Sequence, residues 1–155
     1  MSGKSLLIVA HAPSPNTERL ARAVYEGASD TSIATIDVTL LSPFDADAAD
    51  VIEADALILG TTENIGYMSG ALKDFFDRSY YGCLDHTDAK PYAAFIRAGL
   101  DGTGTKRAIE SICSGLRWKP VQAPMICHGA WNEDFVTQCR ELGMAMAAGL
   151  EGGMF

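Results

Sequence analysis

Short apolar runs alternate with helical patterns along this sequence, and this alternation constrains its fold more than any other feature. Runs at residues 5–10, 33–40, 56–60, 91–96 and 121–127 are short, continuous and partly β-branched. Such runs are typical of strands that are buried on both faces of a sheet. Strictly alternating strands and helices predict a parallel sheet with right-handed crossovers and helices on both faces.

Helices are predicted between these strands from apolar residues that recur every three or four positions. Representative pairs on one face are Leu20 and Val24, Leu72 and Phe75, Ile109 and Cys113, and Leu142 and Met146. Residues 45–53 form the weakest pattern and predict a short helix. The chain is therefore expected to be one α/β domain over residues 1–155, with a five-stranded parallel sheet of order 2-1-3-4-5. In that order, ligands bind beyond the carboxyl ends of the strands, at the switch point between strands one and three.

Composition excludes several classes of partner. The formal net charge of −8 and the isoelectric point of about 4.7 argue against nucleic acid and anionic membrane surfaces. The first apolar run is too short to cross a membrane, so the protein is expected in the cytoplasm. Four widely spaced cysteines form no C-x-x-C pair and have no matching histidines, which indicates reduced, buried thiols and no metal site.

The loop after the first strand, residues 11–17, ends where a helix begins. Ser14 is predicted as the N-cap and Pro15 as the first helical residue. A helix N-terminus offers free N–H groups and a positive dipole end, which suit a phosphate, and Asn16 and Thr17 can add hydrogen bonds. The sequence contains neither a P-loop nor a dinucleotide-binding G-x-G-x-x-G after this strand.

Two further loops are predicted at the same edge of the sheet. In the loop after strand three, Thr61, Thr62 and Asn64 supply polar groups and Gly66 permits a left-handed backbone, with Ser69 as the N-cap of the next helix. The loop after strand four contains three glycines within residues 97–105, and Thr103 is expected to cap the following helix.

Residues 60–78 resemble the flavin-ring loop of the flavodoxin-like superfamily, in which a Gly-Ser/Thr-Pro-x-Tyr-x-Gly-x-x-Ser-x-x-Leu-Lys-x-Phe-x-Asp-Arg pattern recurs. Residues 12–17 resemble the phosphate loop of flavodoxins, T-x-T-G-N-T. Pro15 replaces the glycine of that loop and removes a possible N–H donor, and Glu63 stands where related loops carry proline. The loop after strand four is more similar to that of NAD(P)H-dependent FMN and quinone reductases than to the acidic, aromatic loop of electron-carrier flavodoxins.

The resemblance implies FMN as the cofactor, NAD(P)H as the electron donor and a quinone, a free flavin or a similar small molecule as the acceptor. It implies no catalytic side chain, because the flavin performs the redox step. Related reductases form homodimers or homotetramers, and this chain is expected to do the same. The residues expected to contact the cofactor are His11, Ser14, Pro15, Asn16, Thr17, Thr61, Thr62, Glu63, Asn64, Ile65, Gly66, Tyr67, Ala98, Gly99, Gly102, Thr103 and Gly104.

Three other interpretations fit parts of the same pattern. An electron-carrier flavodoxin would bind FMN but have no nicotinamide site, and a flavin-free descendant would use the fold for protein contacts. A phosphoryl-accepting receiver domain shares the strand order, but it needs acidic residues after strand one and an aspartate at the end of strand three. His11-Ala12 and Gly60-Thr61 occupy those places, which excludes it.

Overall fold

The computed structural model describes residues 3–33 and 35–155. Its strands are β1 (Ser5–Ala10), β2 (Asp37–Leu41), β3 (Ala56–Asn64), β4 (Tyr67–Met68), β5 (Pro91–Ala98), β6 (Lys119–Pro120) and β7 (Met125–His128). Its helices are α1 (Pro15–Ala28), α2 (Ala48–Glu53), α3 (Gly70–Cys83), α4 (Thr103–Gly115) and α5 (Asp134–Glu151). Among the described helices, none is long and apolar enough to cross a membrane.

The main strands form a parallel sheet in the order β2-β1-β3-β5, and both β6 and β7 pair with the outer side of β5. This arrangement confirms the predicted order 2-1-3-4-5, with β6 and β7 together in the fifth place. The register aligns Ala10 at the end of β1 with Gly60 in β3, and Gly60 with Phe95 in β5. The carboxyl ends of the three central strands therefore lie side by side.

Two apolar cores lie on opposite faces of the sheet, because successive strand side chains point in opposite directions. Leu6 and Ile8 of β1 pack with α1 and α5, whereas Leu7 and Val9 pack with α2, α3 and α4. The sheet is thus covered by helices on both faces, as the continuous apolar runs predicted. All four cysteines are free and buried, as the sequence indicated.

The second strand begins at Asp37, so the prediction of a strand from residue 33 was wrong. Residues Thr31–Ile33 instead form one turn of 3-10 helix, in which the Ile33 N–H donates to the Asp30 carbonyl at 2.8 Å. The Asp30 carboxylate also accepts from the backbone and hydroxyl of Ser32. These local hydrogen bonds to Asp30 hold the chain in a turn, so residue 33 does not pair as part of the strand.

The last predicted strand, at residues 121–127, is divided. Lys119–Pro120 pairs with the start of β5, and Met125–His128 pairs with its end. Between them, residues 121–123 are exposed and Pro124 cannot donate a backbone hydrogen bond to the ladder. The prediction of one continuous strand over residues 121–127 was therefore wrong, because it did not allow for this interruption.

Candidate functional site

Three chain segments meet at the carboxyl edge of the sheet. They follow β1, β3 and β5, which occupy adjacent places in the strand order. The His11 N–H donates to the Gly60 carbonyl at 3.0 Å, which ties the end of β1 to β3. The topology therefore brings together the three loops that the sequence motifs predicted.

The segment between β1 and α1 is closed by a capping box. Ser14 is the N-cap, and its hydroxyl oxygen accepts from the Thr17 N–H at 3.2 Å, while the Thr17 hydroxyl oxygen accepts from the Ser14 N–H at 2.9 Å. The two hydroxyl oxygens are 2.9 Å apart. Ser14 as N-cap and Pro15 as the first helical residue are both confirmed.

The capping box uses the donors that a phosphate would otherwise take. The N–H groups of Ser14 and Thr17 each donate to the other residue's hydroxyl, and the Glu18 N–H donates to the Ser14 carbonyl at 2.9 Å. Pro15 has no N–H. In the first turn this leaves the backbone N–H of Asn16 as the remaining donor for a phosphate. The amide side chain of Asn16 is also exposed.

His11 lies between this segment and the loop after β2. Its Nδ1 atom is buried and has no hydrogen-bond partner, and its ring packs edge-on against Phe44 with 6.5 Å between ring centroids. Burial lowers the pKa of His11 from its ordinary value of 6.5, so the ring is mostly neutral at pH 7. A neutral imidazole can donate or accept at Nδ1 according to its tautomer.

The segment after β3 was predicted as a loop over residues 61–67, and this was wrong. β3 continues to Asn64 and pairs antiparallel with β4, so that Asn64 faces Tyr67 across a two-residue turn. The turn residues Ile65 and Gly66 have φ angles of 54° and 73°. Positive φ at both positions is typical of a type I′ hairpin turn, in which a β-branched residue is unusual.

Buried hydrogen bonds hold the base of this hairpin. The Thr61 hydroxyl oxygen accepts from the Ser69 N–H at 2.9 Å, and the hydroxyl donates to the Thr62 carbonyl at 2.8 Å. The Ser69 hydroxyl oxygen accepts from the Leu72 N–H, which confirms Ser69 as the N-cap of α3. Thr61 is thus a structural residue of the hairpin, whereas Thr62 and Asn64 form a more exposed hydrogen bond at 2.9 Å.

The hairpin tip packs on the first turn of α4. A Cβ atom at Gly104 would collide with the Gly66 carbonyl oxygen, so the two backbones are in direct contact. At Gly66 itself a Cβ would meet nothing within 4 Å. Gly104 therefore positions the hairpin, and the open side of Gly66 is available to a ligand.

The segment after β5 is shaped by an aspartate turn. The Asp101 carboxylate accepts from the Thr103 N–H at 3.1 Å and from its hydroxyl at 3.0 Å, which lowers the pKa of Asp101. Gly102, with φ of 71°, is the N-cap of α4, so the prediction that Thr103 is the cap was wrong. Gly102 packs against Ile126, whereas a Cβ at Gly99 would meet nothing within 4 Å.

A cluster of charged and aromatic residues beside this edge was not predicted from the sequence. The Trp131 ring lies near two guanidinium groups, with centroid distances of 5.6 Å to Arg19 and 5.8 Å to Arg97. Glu133 accepts from both Arg19 nitrogens and, at 2.6 Å, from the indole N–H of Trp131. Arg19 chiefly, with Trp131, lowers the pKa of Glu133 to about 2. The cluster joins α1, β5 and the segment before α5. Its residues are far apart in the sequence, so no local pattern indicates that they meet.

Arg97 is held by backbone oxygens. It donates to the carbonyls of Ala98, Cys127 and Gly129 at 2.6, 3.0 and 2.8 Å. These bonds fix the end of β5 against the end of β7. Among residues 3–33 and 35–155, no group of three or more His, Cys, Asp or Glu side chains is arranged to hold a metal ion.

Comparisons with known proteins match a reductase family model and a flavodoxin. The family model for NADPH-dependent FMN reductases matches residues 4–134. A flavodoxin from Aquifex aeolicus (strain VF5) is 32% identical over 111 residues, which cover 72% of this chain. The chain spans 59% of the length of that relative.

Solved structures share the fold at lower identity. An archaeal flavodoxin superposes with a TM-score of 0.80 at 20% identity and covers 95% of this chain and 99% of its own. A flavodoxin, WrbA-like protein from Agrobacterium tumefaciens gives a TM-score of 0.75 at 20% identity, with coverage of 97% and 99%. The flavodiiron protein from Giardia intestinalis gives a TM-score of 0.80 at 16% identity, with coverage of 97% and 37%. These likenesses establish the flavodoxin-like fold.

Proposed function

The chain belongs to the NADPH-dependent FMN reductase family, and from that premise we propose that it takes electrons from NAD(P)H and delivers them to a quinone, a free flavin or a similar small acceptor. It is an FMN-binding oxidoreductase of flavodoxin-like fold. FMN, when bound, supplies the hydride- and electron-transfer chemistry, and the protein supplies binding, orientation and control of access.

The observation that carries this proposal is the meeting of three segments at one sheet edge, two of which have open backbone. Gly66 and Gly99 lie on two of these segments, and a Cβ at either would meet nothing within 4 Å. A flat ring can therefore approach the backbone of both. This position beyond the carboxyl ends of the central strands is where open α/β sheets bind their ligands. The residues present fit a flavin.

The flavin phosphate is proposed to lie at the start of α1. The Ser14 and Thr17 hydroxyls, the Asn16 amide and the Asn16 backbone N–H are the groups that can reach it. Because Ser14 and Thr17 already bond each other, they must share or exchange these bonds when a phosphate binds. The unpartnered Nδ1 atom of His11 is the nearby buried group that gains most from a new partner.

The ring is proposed to contact the outer side of the hairpin and the segment after β5. Thr62, Glu63, Asn64, Ile65, Gly66 and Tyr67 offer the hairpin contacts, and Ala98, Gly99, Gly102, Thr103 and Gly104 lie on the other side. Gly102 and Gly104 act mainly by shape, because their Cα atoms pack on Ile126 and Gly66. No side chain is assigned as an acid or a base, since the protein's part is to hold and orient the ring.

Two aliphatic side chains, one at the hairpin tip and one after β5, remain exposed beside this site. Ile65 at the hairpin tip is fully exposed and Leu100 after β5 is 80% exposed. We propose that a second copy of the chain covers them in a homodimer or homotetramer. The four reduced, buried thiols agree with an oxidoreductase that works in the cytoplasm.

The test is an absorption spectrum of the purified protein with and without added FMN, followed by NADPH or NADH under anaerobic conditions. Bound yellow flavin that bleaches rapidly with nicotinamide is expected. The Gly99→Val variant is expected to lose FMN at micromolar concentrations, because a Cβ at residue 99 meets no protein atom within 4 Å and the new side chain would enter the proposed ring position. Gly70→Ala is the matched control, since its Cβ also meets nothing within 4 Å but lies at the start of α3.

The second candidate is an electron carrier with no nicotinamide site, which the similarity to a curated flavodoxin favours. In that case the bound flavin bleaches with dithionite or a partner reductase and not with NADPH or NADH. Absence of FMN binding to the wild-type protein would contradict both candidates.

A further inference from the structure

Arg97 places a fixed positive charge at the carboxyl edge of the sheet. Its guanidinium donates to three backbone carbonyl oxygens, at 2.6, 3.0 and 2.8 Å. Two aromatic rings lie beside it, with centroid distances of 5.8 Å to Trp131 and 5.1 Å to Phe135. Carbonyl oxygens and aromatic faces stabilise a cation, but they carry no net charge that could neutralise it. The full positive charge of Arg97 therefore remains at this edge.

Within the part of the chain that the structure describes, no carboxylate forms an ion pair with Arg97. Four other arginines each have such a partner: Arg19, Arg78, Arg117 and Arg140. The carboxylate in the same cluster as Arg97, that of Glu133, is bonded to Arg19 and to the Trp131 indole. Arg97 is partly buried, and a partly buried cation without an anion is stabilised when a negative charge approaches it.

The position of Arg97 favours the flavin ring over the flavin phosphate as that negative group. Arg97 donates to the carbonyl oxygen of Ala98, which precedes the open backbone of Gly99, and it aligns in the sheet with Thr62 on β3. These residues belong to the two segments proposed to hold the ring. The proposed phosphate position follows β1, which β3 separates from β5, so about 10 Å of sheet lies between the two strands.

The segments proposed to hold the ring provide no positive side chain of their own. Residues 62–67 and 98–104 contain no lysine or arginine, but they contain the carboxylates of Glu63 and Asp101. Hydrogen bonds from Thr103 lower the pKa of Asp101, so its carboxylate is ionised at pH 7. Transfer of a hydride from NAD(P)H, which leaves as NAD(P)⁺, adds two electrons and one proton to the ring and gives it one negative charge. A nearby cation is needed to offset this charge beside two carboxylates.

We propose that the guanidinium of Arg97 stabilises the negative charge of the reduced flavin and thereby raises the redox potential of the bound cofactor. The inference rests on the proposed function, because it uses the same ring position and the same electron donor. It deepens that function by naming the residue that sets the driving force for transfer from NAD(P)H to the flavin. Arg97 acts through its charge and neither takes up nor releases a proton, since arginine stays protonated in proteins.

The test measures the redox potential of the bound flavin by dithionite titration against a reference dye, without any nicotinamide. Arg97→Gln removes the charge and is expected to lower the affinity for reduced FMN, relative to that for oxidised FMN, at least tenfold. This equals a fall of about 30 mV in the potential of a two-electron couple. Arg97→Lys keeps the charge but loses the planar group that binds three carbonyls. It is expected to retain the wild-type affinity ratio within about threefold, even where the free energy of unfolding falls.

Arg140→Gln is the matched control, because it also removes one positive charge. Arg140 pairs with Glu26 and packs against Gly27 in the last turn of α1, at the opposite end of that helix from Ser14. Its redox potential is expected to equal that of the wild-type protein. The wild-type protein provides a further test that needs no variant. At pH 7 the pH dependence of its potential should correspond to uptake of one proton for every two electrons.

The outcomes separate this inference from the proposed function. An unchanged affinity ratio in Arg97→Gln, an equal fall in Arg97→Gln and Arg97→Lys, or uptake of two protons by the wild-type protein would overturn the inference. The reductase proposal stands in these cases if NADPH or NADH still bleaches the flavin. Arg97→Gln might instead weaken oxidised FMN but not riboflavin, with an unchanged potential; the charge would then serve the phosphate, and the inference would also fall. If the wild-type protein binds no flavin, both proposals fail.

Discussion

The β1–α1 segment and the β3–β4 hairpin lie at the same edge of the sheet, where the flavin is proposed to bind, but they satisfy their backbones in opposite ways. In the first, Ser14 and Thr17 bond each other and leave few free donors. In the second, Ile65 and Gly66 form an exposed turn with positive φ at both residues, and one side of Gly66 is open. The proposed phosphate side is therefore self-satisfied before any ligand binds, whereas the proposed ring side is held open at a cost in backbone strain.

This difference indicates how the two sides are expected to respond to a flavin. Binding of a phosphate must exchange existing hydrogen bonds, so its net gain is small, because each hydrogen bond formed replaces another. Contact with the ring instead covers an open surface whose shape is fixed by the packing of Gly66 on Gly104. We therefore expect the ring side to contribute most of the affinity and the phosphate side to contribute selectivity.

The largest effect is expected where the hairpin packs on α4. Gly104→Val places a branched side chain against the Gly66 carbonyl oxygen, which must move. We expect a loss of about 1–3 kcal/mol in the free energy of unfolding, as overpacking usually causes. Flavin affinity is expected to fall at least tenfold, because the displaced hairpin no longer fits the ring. Urea denaturation and flavin titration measure the two effects.

The control for this change is Gly70→Ala, at a position where a Cβ has free space and φ is not positive. It should leave both quantities within error or raise stability slightly. Unchanged flavin affinity in a folded Gly104→Val protein would show that the hairpin does not position the ring.

The capping box provides the second test. Ser14→Ala removes the hydroxyl that accepts from the Thr17 N–H and should lower the free energy of unfolding by about 1 kcal/mol. It should also reduce the ratio of FMN to riboflavin affinity, because riboflavin lacks the phosphate. Asp47→Ala breaks the equivalent capping box of α2, so a similar loss of stability with an unchanged affinity ratio is expected. An equal change of that ratio in both variants would contradict the phosphate assignment.

Backbone strain in the hairpin turn gives the third test. Ile65 is a β-branched residue at φ of 54°, a region that asparagine adopts more readily. Ile65→Asn should raise the free energy of unfolding by about 1 kcal/mol, measured by thermal or urea unfolding. Leu100→Asn is the matched control, since Leu100 is also exposed and does not have positive φ. Equal effects of both changes would mean that exposure, and not strain, decides the result.

The smallest expected effect concerns the ion pair between Arg19 and Glu133, close to the β1–α1 segment. Hydrogen bonds from Arg19 and Trp131 lower the pKa of Glu133 from 4.5 to about 2. A depressed carboxyl pKa stabilises the folded state above pH 4.5, and this contribution is lost as pH falls from about 4.5 towards about 2. Trp131 fluorescence should therefore change with a midpoint near pH 2 and not near 4.5. In Glu133→Gln this transition should be absent, and its persistence would assign it to another group.

The sequence was most informative about elements that local rules control. The apolar runs located β1 at its observed bounds and predicted the strand order, because buried parallel strands have few alternatives to continuous apolar composition. Ser14, Pro15 and Ser69 were assigned to helix starts, since capping depends on residues within one turn. The strand order in turn predicted that the segments after β1, β3 and β5 share one edge of the sheet, as they do.

The predictions that were wrong concerned features that depend on residues distant in sequence or on competition between local structures. Residues 61–67, which form most of the hairpin, were predicted as a loop, because the turn contains Ile65-Gly66 and not the Asn-Gly that usually indicates such turns. Thr103 was predicted as the N-cap of α4, but Gly102 is the N-cap, because packing on Ile126 fixes the backbone of Gly102. The Asp30 turn shortened the second strand at its start.

By itself, the sequence determined the fold class and the order of the strands and predicted the edge at which a ligand is expected to bind, because these follow from periodicity and chain topology. Only the tertiary structure decided which groups at that edge are still free to bind. It showed that Ser14 and Thr17 are occupied with each other and that Gly66 is open while Gly104 is covered. Occupancy of a hydrogen-bonding group and the space above a backbone depend on atoms from several elements at once, and no local pattern records them.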